Sequence, residues 1–149
     1  KTRILGKEVI SYKRVDSTND VAYQLAEKGM KEGAVILAEE QSKGSGRHGR
    51  SCVSPPKGGI YMSCILRPEI APNEISRITL LVAAAAAKAI RTVSGLEVLI
   101  KWPNDIMIGM KKLCGILTEM KAEQDRAAAK EPPVPVLDLG VGSTALLAP

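Results

Sequence analysis

Apolar residues recur along this chain with two different periods, and the switches between them mark out its elements. Val9 to Tyr12 is a short run of strand type. Ser17-Thr18-Asn19-Asp20 offers a choice of helix N-cap side chains, and Val21, Ala22, Leu25 and Ala26 come next at helical spacing. Gly29 then sits where a helix-ending C′ glycine belongs. Ala34 to Ala38 is a continuous apolar run of strand length. Ile60, Met62, Cys64 and Leu66 alternate with Tyr61, Ser63, Ile65 and Arg67, the period of a strand. Pro68 and Pro72 bracket a turn. Asn73 is expected to cap a long helix with Ile75, Ile78, Leu81, Val82, Ala85, Ala89 and Val93 on its apolar side, and Gly95 ends it. Glu97 to Lys101, Asp105 to Ile108 and Leu113 to Met120 read as strands, the last two joined by a turn over Gly109 to Lys111. No internal repeat is visible. The order predicts one α/β domain, a mixed β-sheet with helices packed mainly on one face.

The end of the chain has a different pattern. Pro132, Pro133, Pro135 and Pro149 place four of the nine prolines in the final eighteen residues. The first three are expected to be excluded from a central strand, because proline has no N–H to donate. Lys121 to Pro135 therefore reads as a loop or linker, with one further short strand over Val136 to Val141.

Composition narrows the class. At 149 residues the chain suits one domain with a substantial core. With one Trp, three Tyr and no Phe, that core must be aliphatic. The net charge of +5 is mild and dispersed, which fits an anionic small ligand or an acidic partner. A single-strand nucleic-acid binder would interleave aromatics with basic residues, and none do here. Cys52, Cys64 and Cys114 lie far apart and His48 is the only histidine, so neither a zinc site nor a disulfide framework is expected. Free cysteines suit a reducing compartment, and a cytoplasmic protein is expected. The longest apolar stretch, around Ile78 to Ala87, is short for a bilayer span, and no signal peptide is recognisable. The chain opens on Lys1 rather than Met, as a piece of a longer protein would.

Two segments carry chemistry. Gln41 to Arg50 reads Gln-Ser-Lys-Gly-Ser-Gly-Arg-His-Gly-Arg, with three glycines and two arginines in its last seven residues. Backbone N–H groups at such glycines, joined to guanidinium forks, suit phosphate or carboxylate. A solvated basic loop is the alternative. Lys101-Trp102-Pro103-Asn104-Asp105 lies at a strand exit, where α/β folds place ligands. Lys101 comes after Val98-Leu99-Ile100, so a partly buried stem is expected, with an anion to pair its ammonium. Asn104 and Asp105 offer oxygens for a hydroxyl or Mg²⁺. A snorkelling lysine before an ordinary turn is the alternative here.

Four segments taken in order resemble one family. They are Asp16-Ser17-Thr18-Asn19, Gln41 to Arg50 with Ser54-Pro55 after it, Lys101-Trp102-Pro103-Asn104-Asp105, and Lys112-Leu113-Cys114-Gly115-Ile116-Leu117. From about Leu5 to Met120 the chain resembles the catalytic domain of the biotin protein ligases, in the biotin/lipoate protein ligase family. The resemblance implies a class II synthetase-like fold over residues 1–149, and an enzyme that joins biotin to AMP using MgATP. Biotin then passes to a lysine of the biotin carboxyl carrier domain of a biotin-dependent carboxylase. ATP, Mg²⁺ and biotin are the implied small molecules, and a homodimer is an implied assembly. Neither a membrane nor a nucleic acid is expected as partner of this fragment. Lipoate ligases and octanoyltransferases share the fold, but lack this Gly/Arg loop joined to the Lys-Trp-Pro-Asn-Asp motif. A fragment that binds biotin with little turnover is the third reading.

The resemblance also assigns roles. Ser17, Thr18 and Asn19 match contacts to the biotin ureido head and their support, beside their capping role. Gln41 and Gly115 match the biotin pocket. Ser45, Gly46 and Arg47 belong to the loop that closes over the adenylate, with Arg47 pairing its phosphate or carboxylate. Lys101 matches the lysine at the acyl–phosphate linkage and, with Arg47, is the implied catalytic pair. Arg50, Cys52, Asn104 and Lys112 fall on the ATP side, and Asp105 is the implied metal ligand. His48 is expected to be an exposed loop residue rather than a base.

Three departures stand out. Ser45 replaces an arginine found in many members. Cys52 replaces the usual Trp, which removes apolar surface worth on the order of 1.5–3 kcal/mol if buried and implies a less ordered loop. Gly140-Val141-Gly142-Ser143-Thr144 ends on Thr where the family expects Gly-x-Gly-x-Asn, and residues 145–149 are atypical. Neither a C-terminal barrel domain nor an N-terminal winged-helix domain is expected in this chain, and a truncated or frame-shifted product would account for the altered tail.

Overall fold

The computed structural model describes residues 3–46, 49–121 and 134–142. Its elements are β1 (Val9–Tyr12), α1 (Thr18–Glu27), β2 (Val35–Ala38), β3 (Gln41–Ser45), β4 (Ser51–Ser54), β5 (Gly59–Ile65), α2 (Ile75–Ser94), β6 (Leu99–Lys101), β7 (Asp105–Ile108), β8 (Lys111–Lys121) and β9 (Val134–Gly142). Seven strands form one sheet in the order β1-β2-β5-β9-β8-β7-β6, and β3 and β4 form a separate ribbon. Only β1 and β2 run parallel; all other neighbours are antiparallel. The sheet is mixed, as the order of periods predicts.

The helices do not share a face. Val35 of β2 and its partner Cys64 of β5 pack in one core with Ala83 and Ala87 of α2, Val98, Ile106, Cys114 and Ile116. The next residues along the strands, Ile36 and Ile65, pack in a second core with Ala22, Tyr23 and Ala26 of α1. Neighbouring strand residues point to opposite sides, so each helix covers its own face. This corrects the expectation of helices mainly on one face. It also explains why β2 and β5 bury residues of both parities (Tyr61, Ser63, Cys64 and Ile65 are all buried) although the sequence of β5 alternates.

α1 starts and stops as its sequence indicates. The Ser17 hydroxyl accepts from the Asn19 N–H at 3.2 Å, and Gly29 takes φ 86° just past the end. The last turn of α1 holds no basic residue, and Arg67 reaches across instead, donating to the carbonyls of Ala26 and Met30 at 3.3 and 3.1 Å. α2 differs from expectation at both its start and its face. Pro72–Glu74 forms a 3-10 turn, so Glu74 and not Asn73 is the N-cap, without a side-chain cap bond. The buried residues are Ala83 and Ala87, flanked by Val82, Ala86 and Ile90, whereas Leu81 is 70% and Val93 88% exposed. A helix apolar on several sides leaves its face undetermined by period alone. Ala83 and Ala87 are the α2 residues buried in one cluster with Val98, Ile106 and Ile116.

Other differences have steric causes. β6 begins at Leu99 and lies at the edge of the sheet, so Lys101 is exposed rather than part-buried. Val134 and Pro135, expected in a loop, belong to β9, and Lys121 to β8. Pro135 is tolerated because it pairs only towards β8, opposite Met120, while the β5 ladder begins at Val136. The rest of the expected loop, 122–133, lies outside the described residues. Among the described residues, no helix is long and apolar enough to cross a membrane.

Replacing Ala87 with Leu should overpack the α2–sheet contact and cost about 1–3 kcal/mol in urea unfolding. Leu81→Ala should change stability by less than about 0.5 kcal/mol. The reverse ranking would show that α2 is turned the other way.

Candidate active site

The N-terminal turn of α1 carries a buried polar network. The Thr18 N–H donates to Gln41 Oε1 at 2.8 Å, and the Thr18 hydroxyl donates to the same oxygen at 2.9 Å. The Ser63 hydroxyl, from β5, donates to Thr18 Oγ1 at 2.8 Å. Gln41 Nε2 donates to Ser54 Oγ of β4 at 3.1 Å. Ser17, Thr18, Gln41, Ser54 and Ser63 are all at most 9% exposed. Buried polar groups need partners, and here each partner lies on a different element. The network therefore fixes α1 against β3, β4 and β5 at one point. Asn19, also buried, donates from Nδ2 to Glu119 Oε2 on β8 at 2.6 Å. Ser17, Thr18, Asn19 and Gln41 are thus brought together as the sequence implied. Ser54 falls in the quoted Ser54-Pro55, whereas Ser63 and Glu119 join this network from outside the motifs. A serine in the middle of an apolar strand, as Ser63 is, was the one available signal.

A second cluster crosses the strands β6, β7 and β8. Lys101 is opposite Asp105, and Asp105 is opposite Gly115. Directly opposed residues share a face, and Gly115 shares its face with Glu119, four positions along β8. Lys101, Asp105 and Gly115 therefore lie on the α1 side of the sheet, on the strands that α1 leaves uncovered. Lys112 Nζ pairs with Asp105 Oδ1 at 2.8 Å. A Cβ on Gly115 would stand 3.0 Å from Lys112 Nζ, so the missing side chain leaves room for the Lys112 ammonium to lie beside the strand. Lys101 forms no ion pair among the described residues. Asn104 braces the turn: its Nδ2 donates to the Ile116 carbonyl at 3.1 Å and its carbonyl accepts from Ile116 N–H at 2.9 Å. The peptide between Trp102 and Pro103 is cis, and Trp102 is 76% exposed.

The glycine-rich stretch is a hairpin rather than a free loop. Ser45 pairs with Ser51 and Gly44 with Cys52, and Gly46 N–H donates to the Arg50 carbonyl at 2.7 Å. At Gly44 a Cβ would lie 2.7 Å from the Cys52 carbonyl oxygen, so a side chain cannot fit. Arg50 and Cys52 are exposed. With Cys52 exposed, the apolar burial considered for that position does not arise here. Arg47 and His48 lie outside the described residues. The base of the hairpin is tied by Asp16, which accepts from Lys43 Nζ at 2.9 Å and from the Ser42 hydroxyl. The Lys43 ammonium, then the Ser42 hydroxyl, hold the Asp16 carboxyl below its ordinary 3.8, and Asp16 raises Lys43 above 10.5.

Two placements carry weight for ligands. Among the described residues no group of three or more His, Cys, Asp or Glu side chains is placed to hold a metal ion. Asp105 is already paired with Lys112, and a cation there would have to displace that ammonium. The residues therefore do not fit a resident Mg²⁺ at Asp105. A cleft of about 310 Å³ along α1 is lined by Asp16, Ser17, Asp20 and Glu27 among others. Its acidic lining is the wrong sign for a carboxylate or a triphosphate.

A helix N-terminus among polar side chains, with lysines beyond it on the same sheet face, is set in a mixed α/β domain. The chain belongs to the biotin/lipoate A/B protein ligase family, whose pattern it matches over residues 11–129. It is 43% identical over 126 residues to the bifunctional ligase/repressor BirA of Bacillus spizizenii, covering 85% of this chain and 39% of that protein. To the protein of the same name from Escherichia coli it is 36% identical over 115 residues, 76% of this chain and 35% of that one. The chain thus spans well under half the length of these relatives. The structure is similar to biotin protein ligase from Aquifex aeolicus in complex with biotin and ATP, with a TM-score of 0.73 at 29% identity, over 91% of this chain and 52% of that one. It is also similar to the Leishmania major enzyme in complex with biotinyl-5-AMP, with a TM-score of 0.70 at 25% identity, over 91% and 57%.

Gln41→Ala leaves the Thr18 N–H and hydroxyl without their acceptor and should cost about 1–3 kcal/mol in unfolding experiments. Gln41→Glu keeps an acceptor and should cost less; equal losses would refute the network. The Asp16 contact predicts a pH signature. A carboxyl depressed in the folded state stabilises above its unfolded value of 3.8 and loses that contribution as pH falls through the lower folded value. The stability gap between the parent and Asp16→Asn should therefore close below pH 3.8 in denaturation series. Lys43, raised in the folded state, keeps its contribution below 10.5 and loses it as pH rises further. A gap that persists unchanged in acid would exclude the contact.

Proposed function

We propose that the chain is the catalytic portion of an ATP-dependent biotin protein ligase. The observation that carries this reading is the arrangement on one sheet face. A buried amide–hydroxyl network stands at the α1 N-terminus, and Lys101 and Lys112 stand around Gly115. Biotin has matching ends, a neutral cyclic urea and a carboxylate. Ser17, Thr18, Asn19 and Gln41 receive the urea with donors and acceptors, and Gly115 lets the acyl chain lie against β8. The carboxylate oxygen attacks the α-phosphorus of ATP, the new bond is an acyl phosphate, and pyrophosphate leaves. A lysine amine of the carrier domain then attacks the acyl carbon, loses a proton, and AMP departs. Neither step needs a covalent enzyme nucleophile. Positioning and charge neutralisation carry the rate, with Lys101 at the acyl–phosphate linkage and Arg47, Ser45 and Gly46 closing over it. Arg50, Cys52, Asn104 and Lys112 flank the nucleotide. Asn104 does so by holding its turn, and Lys112 by exchanging Asp105 for phosphate. Mg²⁺ enters as the MgATP substrate.

The names of relatives support the partner. One from Paracoccus denitrificans, 34% identical over 131 residues, is a biotin--[acetyl-CoA-carboxylase] ligase. A biotin carboxyl carrier domain is the matching acceptor, and a cytoplasmic site suits it. A homodimer, if formed, has β6 as a suitable edge, where Leu99 is 64% exposed.

Biotin-dependent exchange of pyrophosphate into ATP should be measurable for this chain and absent with lipoate. Lys101→Ala should slow the exchange by at least about 100-fold while biotin still binds in calorimetry. Undiminished exchange by Lys101→Ala would remove that lysine from the reaction, and exchange with lipoate alone would overturn the substrate.

A further inference from the structure

Asn19 and Glu119 are one hundred residues apart, and the geometry of their contact has a directional consequence. An ionised carboxylate only accepts hydrogen bonds. Glu119 therefore admits a single orientation of the Asn19 amide, with Nδ2 towards β8 and Oδ1 turned away. That Oδ1 is buried and meets no donor among the described residues, while Asn19 as a whole is 2% exposed. A buried acceptor without a donor is costly, and it stands next to Thr18, in the turn assigned to the neutral end of the ligand. Glu119 itself is exposed on β8, on the face it shares with Gly115.

We propose that Glu119 is a positioning residue: it locks the Asn19 amide so that Oδ1 is a preset acceptor for an N–H of the bound ligand, and it ties that acceptor to the strand bearing Gly115. The proposal rests on the biotin reading above, in which the donor is a ureido N–H. Glu119 touches no ligand atom and acts only through Asn19. Replacing it with Gln gives the amide a partner that both donates and accepts, so both orientations become available and the acceptor is no longer preset.

The test is calorimetry of the full chain with biotin, with ATP, and with biotin methylated on a ureido nitrogen. Glu119→Gln should weaken biotin about tenfold, the worth of one well-placed hydrogen bond. It should leave ATP binding and the melting temperature unchanged, and reduce the preference for biotin over its methylated analogue. Glu119→Asp, which keeps a carboxylate, should restore part of the affinity. In an Asn19→Ala background, Glu119→Gln should have no further effect. Unchanged biotin affinity in Glu119→Gln, or the same loss in the Asn19→Ala background, overturns the proposal. A parallel fall in melting temperature and in affinity for both ligands would make Glu119 a simple brace and overturn it too. If the parent chain binds no biotin at all, the ligand assignment itself fails and the proposal falls with it.

Discussion

Val35 and Ile36 are neighbours on β2, and each is buried under a different helix. That two-sided burial is the constraint on which the rest of the domain depends. A sheet covered by α1 on one face and α2 on the other cannot slip by one residue, because every side chain in the slipped strand would enter the wrong core. Register along β2, β5, β9 and β8 is thereby fixed. With it is fixed the line of opposed residues that places Gly115 across from Asp105 and Asp105 across from Lys101. The chemistry is held by strands whose positions are decided by aliphatic packing elsewhere.

The two helices cover unequal parts of the sheet. α1 is short and packs on the β2 and β5 side, which leaves its own face open over β8, β7 and β6. Its N-terminus ends at that opening, where the helix dipole favours polar or anionic partners. α2 is twice as long and closes the opposite face through alanines. One face is thus sealed for stability and the other half-covered for binding. The β3–β4 ribbon is not part of the main sheet. It is attached near the opening through Gln41 and through the Asp16 contact with Lys43 and Ser42. The ribbon is thus held at its base without sharing strands with the main sheet.

Much of this was legible in order along the chain. A cap within Ser17 to Asp20, Gly29 and Gly95 as helix ends, and strands near Val9, Ala34, Ile60 and Asp105 stood where local chemistry put them, because caps and strand periods are set by neighbours a few residues apart. The ordered motifs were enough to indicate the family, and the roles of Ser17 to Asn19 and Gln41 rest on residues that do come together. The face of α2 was not legible. Residues 82–87 are apolar whichever way the helix turns, and only the shape of the opposing sheet selects Ala83 and Ala87. The edge position of β6 was equally hidden. Val98-Leu99-Ile100 reads as a buried run, yet Val98 alone is buried, since strand order depends on pairings made between distant segments.

The sequence by itself determined the types of the main-sheet strands and the two helices, their boundaries to within a few residues, the motifs and the family, because these depend on local periodicity and on residue chemistry; it did not reveal the β3–β4 hairpin. Tertiary structure decided which helix lies on which face, that Asp105 directs its charge to Lys112, and that Ser63 and Glu119 join a turn far from them in the chain. Those facts arise from pairings across tens of residues, where register and close packing, not local pattern, choose the partners.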